Sequence, residues 1–283
     1  MSSQPTAAPA PLLSLYTSLD TDISNVLERA VKRSWQEDHL SYSVCEAISE
    51  RAPFEFRSAR GEDVRVEAEL FKNDGVIEEL HGDIAVVLSI RREASPDVFG
   101  VGFLEAKRRY QDSGRFDKIT WKQLEDIEGN TPHAMLLLYD YEFAAFNADL
   151  SREAEVLTPV TDPRAVVVPL NLARALQTRT TALYRHCAPL AHQLCYRYLH
   201  GLDLDLVGTP SDILQFFPSP NVVPGFVLRM QVSDGLNATP PTVPLPSGFK
   251  PVEHVDEAAE AQGRTAVAGR EEEPPTATMS ASV

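Results

Sequence analysis

The sequence predicts an α/β fold, a mixed β-sheet flanked by helices. Three observations carry that prediction: helical-period apolar positions near the N-terminus, five strand-length apolar segments between residues 64 and 168, and helical spacing again after residue 170. With 283 residues, 43% hydrophobic and 24% charged, the chain can bury a sizeable core.

Taken in order, Ile23, Val26, Leu27, Ala30 and Val31 recur at helical spacing, with Asp20 or Thr21 as the expected cap. A second helix is expected over 41–50, on Val44, Cys45 and Ile48. The period then changes to two. Val64, Val66, Ala68 and Leu70 alternate with Arg65, Glu67 and Glu69, the signature of a half-buried strand. Residues 84–90 form an apolar run of strand length, as do 101–106 and 134–139. Between the last two, 119–127 reads as a helix closed by Gly129 and Asn130. A fifth strand, 165–168, ends at Pro169, and a helical region broken at Pro189 is expected over 171–199.

Both ends differ in composition. Residues 1–12 read as a flexible lead, 13–234 as one domain with a helical C-terminal part from 171, and 235–283 as a disordered acidic tail rich in Pro, Ala and Glu. The net charge is −15, which argues against a general nucleic-acid coat or a membrane-surface binder. That charge is unevenly spread. The tail holds seven acids and three bases, whereas residues 84–122 hold eight bases and five acids, a local balance of +3. Cys45, Cys187 and Cys195 are too few and too scattered for a disulfide framework, so a reducing cytoplasm is the expected location. No run approaches the length of a membrane span.

The chemistry concentrates on two strands. In Leu104-Glu105-Ala106-Lys107, alternation places Glu105 and Lys107 on one face and Leu104 and Ala106 on the other. The preceding strand opens with Gly82 and Asp83. A hairpin through residues 91–98 would bring Asp83 opposite Glu105. Two carboxylates converging with a lysine can hold a hard divalent cation and poise a water near a phosphate.

Asp83, then Glu105-Ala106-Lys107, then Gln123 on the following helix, resembles the PD-(D/E)xK nucleases, the restriction-endonuclease-like superfamily. The resemblance covers about residues 37–170 and implies a restriction-endonuclease-like core. It implies Mg²⁺- or Mn²⁺-dependent hydrolysis of nucleic-acid phosphodiesters, with DNA favoured over RNA. It further implies Asp83 and Glu105 as metal ligands, Lys107 as the catalytic lysine and Gln123 as an orienting residue. Residues 104–110 are also similar to an (E/Q)AKR branch frequent among prokaryotic defence nucleases. Gly82 stands where the superfamily name has proline. The family's acidic residue on the first helices is matched first by Glu37, with Glu28 and Glu46 as alternatives, and Glu79 is a further acid near Asp83.

Arg108, Arg109, Arg115 and Lys118 follow the motif and are expected to meet phosphates, with Tyr110 and Trp121 available for stacking. A homodimer or a partner protein stays open. Cys187, His192 and Cys195 lack the paired spacing of a zinc site, and no GxxxxGK(S/T) or GxSxG occurs. The competing class is a non-catalytic interaction module on a degenerate nuclease fold, its Glu/Lys pair serving as a sheet-rim ion pair.

Overall fold

The computed structural model describes residues 10–58, 60–73, 82–93, 95–144, 163–217, 223–235 and 239–252. The chain opens with β1 (Ala10–Pro11), α1 (Leu12–Arg33) and α2 (Glu37–Arg51), then β2 (Phe54–Arg57) and β3 (Asp63–Asn73). A hairpin of β4 (Ile84–Arg92) and β5 (Ser95–Arg108) follows, then α3 (Trp121–Asn130) and β6 (Met135–Tyr139). The rest comprises β7 (Ala165–Pro169), α4 (Leu170–Leu176), β8 (Ala188–Pro189), β9 (Asp205–Val207), β10 (Phe226–Asp234) and β11 (Phe249–Pro251).

Among the described residues the strands form one mixed sheet, ordered β1-β2-β3-β10-β4-β5-β6-β7-β8. β9 lies against β5 and β11 against β3. β4 and β5 are antiparallel, with Ile84 opposite Leu104, and β5 runs parallel to β6 across the α3 connection. Residues 84–90 are buried throughout, because helices cover both faces of the sheet at this point. On one face Ile84, Val86, Leu104 and Ala106 pack with Leu19, Ile23 and Leu27 of α1 and Leu40, Val44 and Ile48 of α2. On the other, Ala85, Val87, Val101 and Phe103 pack with Leu124 and Ile127 of α3 and Ala173 of α4. These two cores fix the pleat of β5, and with it the side to which Glu105 and Lys107 project.

Several expectations need correction. α1 begins at Leu12, so Asp20 and Thr21 lie within the helix rather than capping it, and residues 10–12 belong to the fold. The extra turns arise because Leu15, Tyr16 and Leu19 extend the apolar stripe toward the N-terminus. Residues 171–234 are not one continuous helical part. Leu176 ends α4, Thr181–His186 and Pro210–Phe216 are 3-10 turns, 190–200 continues as an α, π and 3-10 run, and β8, β9 and β10 lie among them. β10 is a central strand: Phe226, Leu228, Met230 and Val232 alternate into the α1/α2 core, while Val227 faces the other. The boundary at 235 also falls too early. Val243 is fully buried, Leu245 and Phe249 pack on the second core, and Pro251 pairs with Phe71. Few large apolar residues suffice here because strand pairing supplies the rest of the anchorage. Residues 253–283, residues 1–9 and Glu79 lie outside the described residues.

Gly82 leads the chain into β4 with φ at +83°, a conformation proline cannot adopt and other L-residues adopt at a cost. A β-carbon there would stand 2.8 Å from the Leu104 carbonyl oxygen. Gly61 has a similar φ of +81° but open space around it. Gly82→Ala is therefore expected to lose more stability in urea unfolding than Gly61→Ala. The backbone conformation alone accounts for about 1–2 kcal/mol in each, and the clash adds to it only at Gly82. Equal losses would show that the approach to Leu104 relaxes without cost.

Candidate active site

The rim where β4 begins and β5 ends gathers the charged groups. The register of the hairpin continues one step beyond Ile84 and Leu104, so Asp83 stands across from Glu105. The Asp83 backbone N–H donates to the Leu104 carbonyl at 2.9 Å, and the Ala106 N–H donates to Asp83 Oδ2. Glu105 is 2% exposed, Asp83 5% and Lys107 8%. Lys107 Nζ lies 2.8 Å from Glu105 Oε1 and 3.1 Å from Glu37 Oε1, and also donates to the Ala106 carbonyl at 2.6 Å.

Glu37 comes from the other side of the chain. It opens α2 beside Asp38, where the unpaired N–H groups of the first turn favour carboxylates. Trp35, in the joint between α1 and α2, donates its indole N–H to the Arg109 carbonyl at 2.8 Å. That bond ties the joint to the end of β5 and carries Glu37 to Lys107. Beneath the cluster the buried Tyr139 hydroxyl meets Ser41 Oγ of α2 at 3.2 Å.

Burial works against the charge on Lys107, yet Glu105, Asp83 and Glu37 together outweigh it and hold the ammonium well above its ordinary pKa. For Glu37 the balance runs the other way. Burial raises its pKa, Lys107 opposes the rise, and Glu105 and Asp117 add to it. Tyr139 is raised by burial as well, with Asp83 and Glu37 among the contributors. Two buried carboxylate oxygens, Glu105 Oε2 and Glu37 Oε2, have no hydrogen-bond partner. In a region shielded from water such acceptors are costly unless something else satisfies them. Among the described residues, no set of three or more His, Cys, Asp or Glu side chains is arranged to hold a metal ion together. The lysine ammonium stands in direct contact with two of the carboxylates instead.

The chain matches no family model, no curated protein and no solved structure in comparisons with all three. The site rests on its own geometry. Of the residues named from the sequence, Asp83, Glu105, Lys107 and Glu37 come together. Gln123 lies half-buried in the first turn of α3. The four basic residues divide into two pairs. Arg109 is held by Asp140 at 3.0 Å and Glu142 at 2.9 Å, under the Tyr141 ring, while Tyr184 also donates to Asp140. Arg108 lies over the Tyr110 ring, 3.8 Å from Asp117. Arg115 and Lys118 are exposed. Trp35, Asp117 and Asp140 are the contributors that sequence spacing does not reveal, since each acts across a distance the linear chain hides. A tryptophan between two polar helix ends is the one visible sign.

Removing the ammonium should expose the strain among the acids. Lys107→Met leaves Glu105, Glu37 and Asp83 without it and is expected to cost about 3–5 kcal/mol near pH 7.5. Carboxylates whose pKa is raised in the fold stabilise it below their unfolded value, and this contribution is lost as the pH rises. The deficit of Lys107→Met should therefore shrink from pH 8 to pH 5 in urea unfolding. A deficit that stays constant over that range would mean the carboxylates are not under mutual repulsion.

Proposed function

We propose that the chain is a metal-dependent nuclease that hydrolyses nucleic-acid phosphodiester bonds at the Asp83/Glu105/Lys107 rim, with DNA favoured over RNA. The observation that carries the reading is the convergence of three acids on one buried lysine, with two carboxylate oxygens left unsatisfied. Structural ion pairs tend to saturate their acceptors. This cluster does not.

A hard divalent cation such as Mg²⁺ or Mn²⁺ suits the all-oxygen donor set. Asp83 and Glu105 would hold it, with Glu37 as the further acidic contact. Bound there, it would polarise a phosphoryl oxygen and lower the pKa of a water. The chain's own groups do the rest. Lys107 stays protonated under ordinary conditions, so it acts as a fixed positive charge for the negative charge developing on the phosphate, not as a base. Glu37 Oε2, buried and without a hydrogen-bond partner, is the oxygen open to the divalent cation, its Oε1 being held by Lys107. Gln123 is assigned to substrate orientation by resemblance, as is the link to prokaryotic antiviral defence. Arg115 and Lys118 remain the phosphate-facing cations, whereas Arg109 is committed to Asp140 and Glu142.

One observation favours a second reading. Lys107 already bridges Glu105 and Glu37, and among the described residues no metal-ready set surrounds it, as a binding-only descendant of the fold would have it. Purified protein incubated with DNA and RNA, in Mg²⁺ or EDTA, separates the two. Asp83→Asn and Glu105→Gln are expected to reduce metal-dependent cleavage at least about a hundredfold, a loss typical of removing a charge-stabilising group. Lys107→Arg, which keeps the charge, serves as the fold control by circular dichroism. Equal cleavage by wild type and both carboxylate variants removes the site assignment. No cleavage by wild type on any substrate leaves the binding reading.

A further inference from the structure

A cleft of about 600 Å³ lies beside the loop that follows β5, within the size range of small-ligand sites. Arg115, Lys118, Trp121, Gln177, Arg179 and Thr180 are among its lining residues. No carboxylate lines it among the described residues. Among the described residues, none of the three cationic side chains pairs with an acid. The neighbouring hollow, which shares Trp121 and Gln177, shows the opposite arrangement. There Arg174 is neutralised by Glu128 and Glu125, and Lys122 by Asp126 and Glu125. Among the described residues, the first hollow thus has positive charge to spare and the second does not.

The cleft and the carboxylate rim are two sides of one loop. The Asp117 backbone N–H donates to the Arg108 carbonyl at 2.9 Å, and the Asp117 carboxylate accepts from Tyr110 at 3.0 Å and acts on Glu37. On its other side, the Phe116 N–H donates to the Arg179 carbonyl at 2.9 Å. That bond brings a cation from beyond α4 to Arg115 and Lys118. Trp121 lines the same space and is only partly buried.

We propose that this cleft binds a single-stranded stretch of nucleic acid, with Arg115, Lys118 and Arg179 on its phosphates and a base stacked on Trp121. The inference rests on the nuclease reading for its direction and names the form of the substrate. Cations without counter-charges recognise phosphates, and hydroxyl and amide donors add to them. An accessible indole adds a sequence-tolerant platform that only an unpaired base can reach.

Binding is measured in EDTA, so that it does not depend on cleavage. Full-length protein is titrated with an oligothymidylate and with a duplex of equal length, following anisotropy and tryptophan fluorescence. Arg115→Glu, Lys118→Glu and Arg179→Glu are each expected to weaken the oligothymidylate about tenfold, with thermal unfolding unchanged. Because Arg115 and Lys118 are exposed, those two variants keep the test open should Arg179→Glu fold poorly. Neutralising one cation should lower the slope of log affinity against log salt by about 0.7. Trp121→Leu should abolish the fluorescence change, while Trp35 stays in place. Unchanged affinity in the charge-reversal variants overturns the proposal, and so does duplex binding as tight as single-strand binding. Retained oligonucleotide binding by a protein that cuts nothing supports the cleft and rejects the nuclease reading.

Discussion

The lysine at position 107 is asked to balance three acids where little water reaches them. Glu105 comes from its own strand, Asp83 from the hairpin partner and Glu37 from a helix some seventy residues earlier. Each of those elements reaches the rim for a different reason: the pleat of β5, the register of the hairpin and the indole bond that anchors the joint before α2. The ammonium makes their meeting tolerable. A site so assembled is expensive to keep, because two acceptors remain unsatisfied, and folds retain such arrangements mostly where chemistry or binding uses them.

Much of this was legible in the amino-acid sequence, but unevenly. The hairpin, α3, β6 and β7 follow from local periodicity, and so does the common face of Glu105 and Lys107. Asp83 opposite Glu105 required only that the connection be short. Glu37 was harder, since α1 and α2 offer several acids and periodicity cannot say which one faces the sheet. The indole of Trp35 decides it through a contact 74 residues away in sequence. β10 was missed for another reason. Its Phe226, Leu228, Met230 and Val232 alternate with Arg229 and Gln231 and carry a strand signal, but it follows a stretch read as helical. The Pro-rich segment after 239 misleads in the opposite sense. Composition suits it to disorder, yet Val243 and Phe249 find seats that only the finished sheet provides.

Charge shows the same limit. A net −15 suggests a protein that avoids polyanions, and a tract of eight bases suggests one patch that seeks them. Neither sum distinguishes a bound cation from a free one. Arg109 spends its charge inside the fold on Asp140 and Glu142, and Arg174 spends its own on Glu128. Among the described residues Arg115, Lys118 and Arg179 have no such acidic partner, although Arg179 comes from a distant part of the chain. What matters to an approaching phosphate is the residue of that internal pairing.

The place of β10 has a consequence for how the molecule is made. β3 and β4 are consecutive in the chain but are not neighbours in the sheet, because β10 lies between them, antiparallel to one and parallel to the other. Without residues 226–234 the edge of β4 that β10 covers has its backbone N–H and C=O groups unpaired, between two apolar faces. Pairings of such sequence separation form slowly and leave sticky edges exposed meanwhile. The β4–β5 hairpin, and the acids it carries, can form early. The sheet around it closes only when residues 226–234 join β3 and β4.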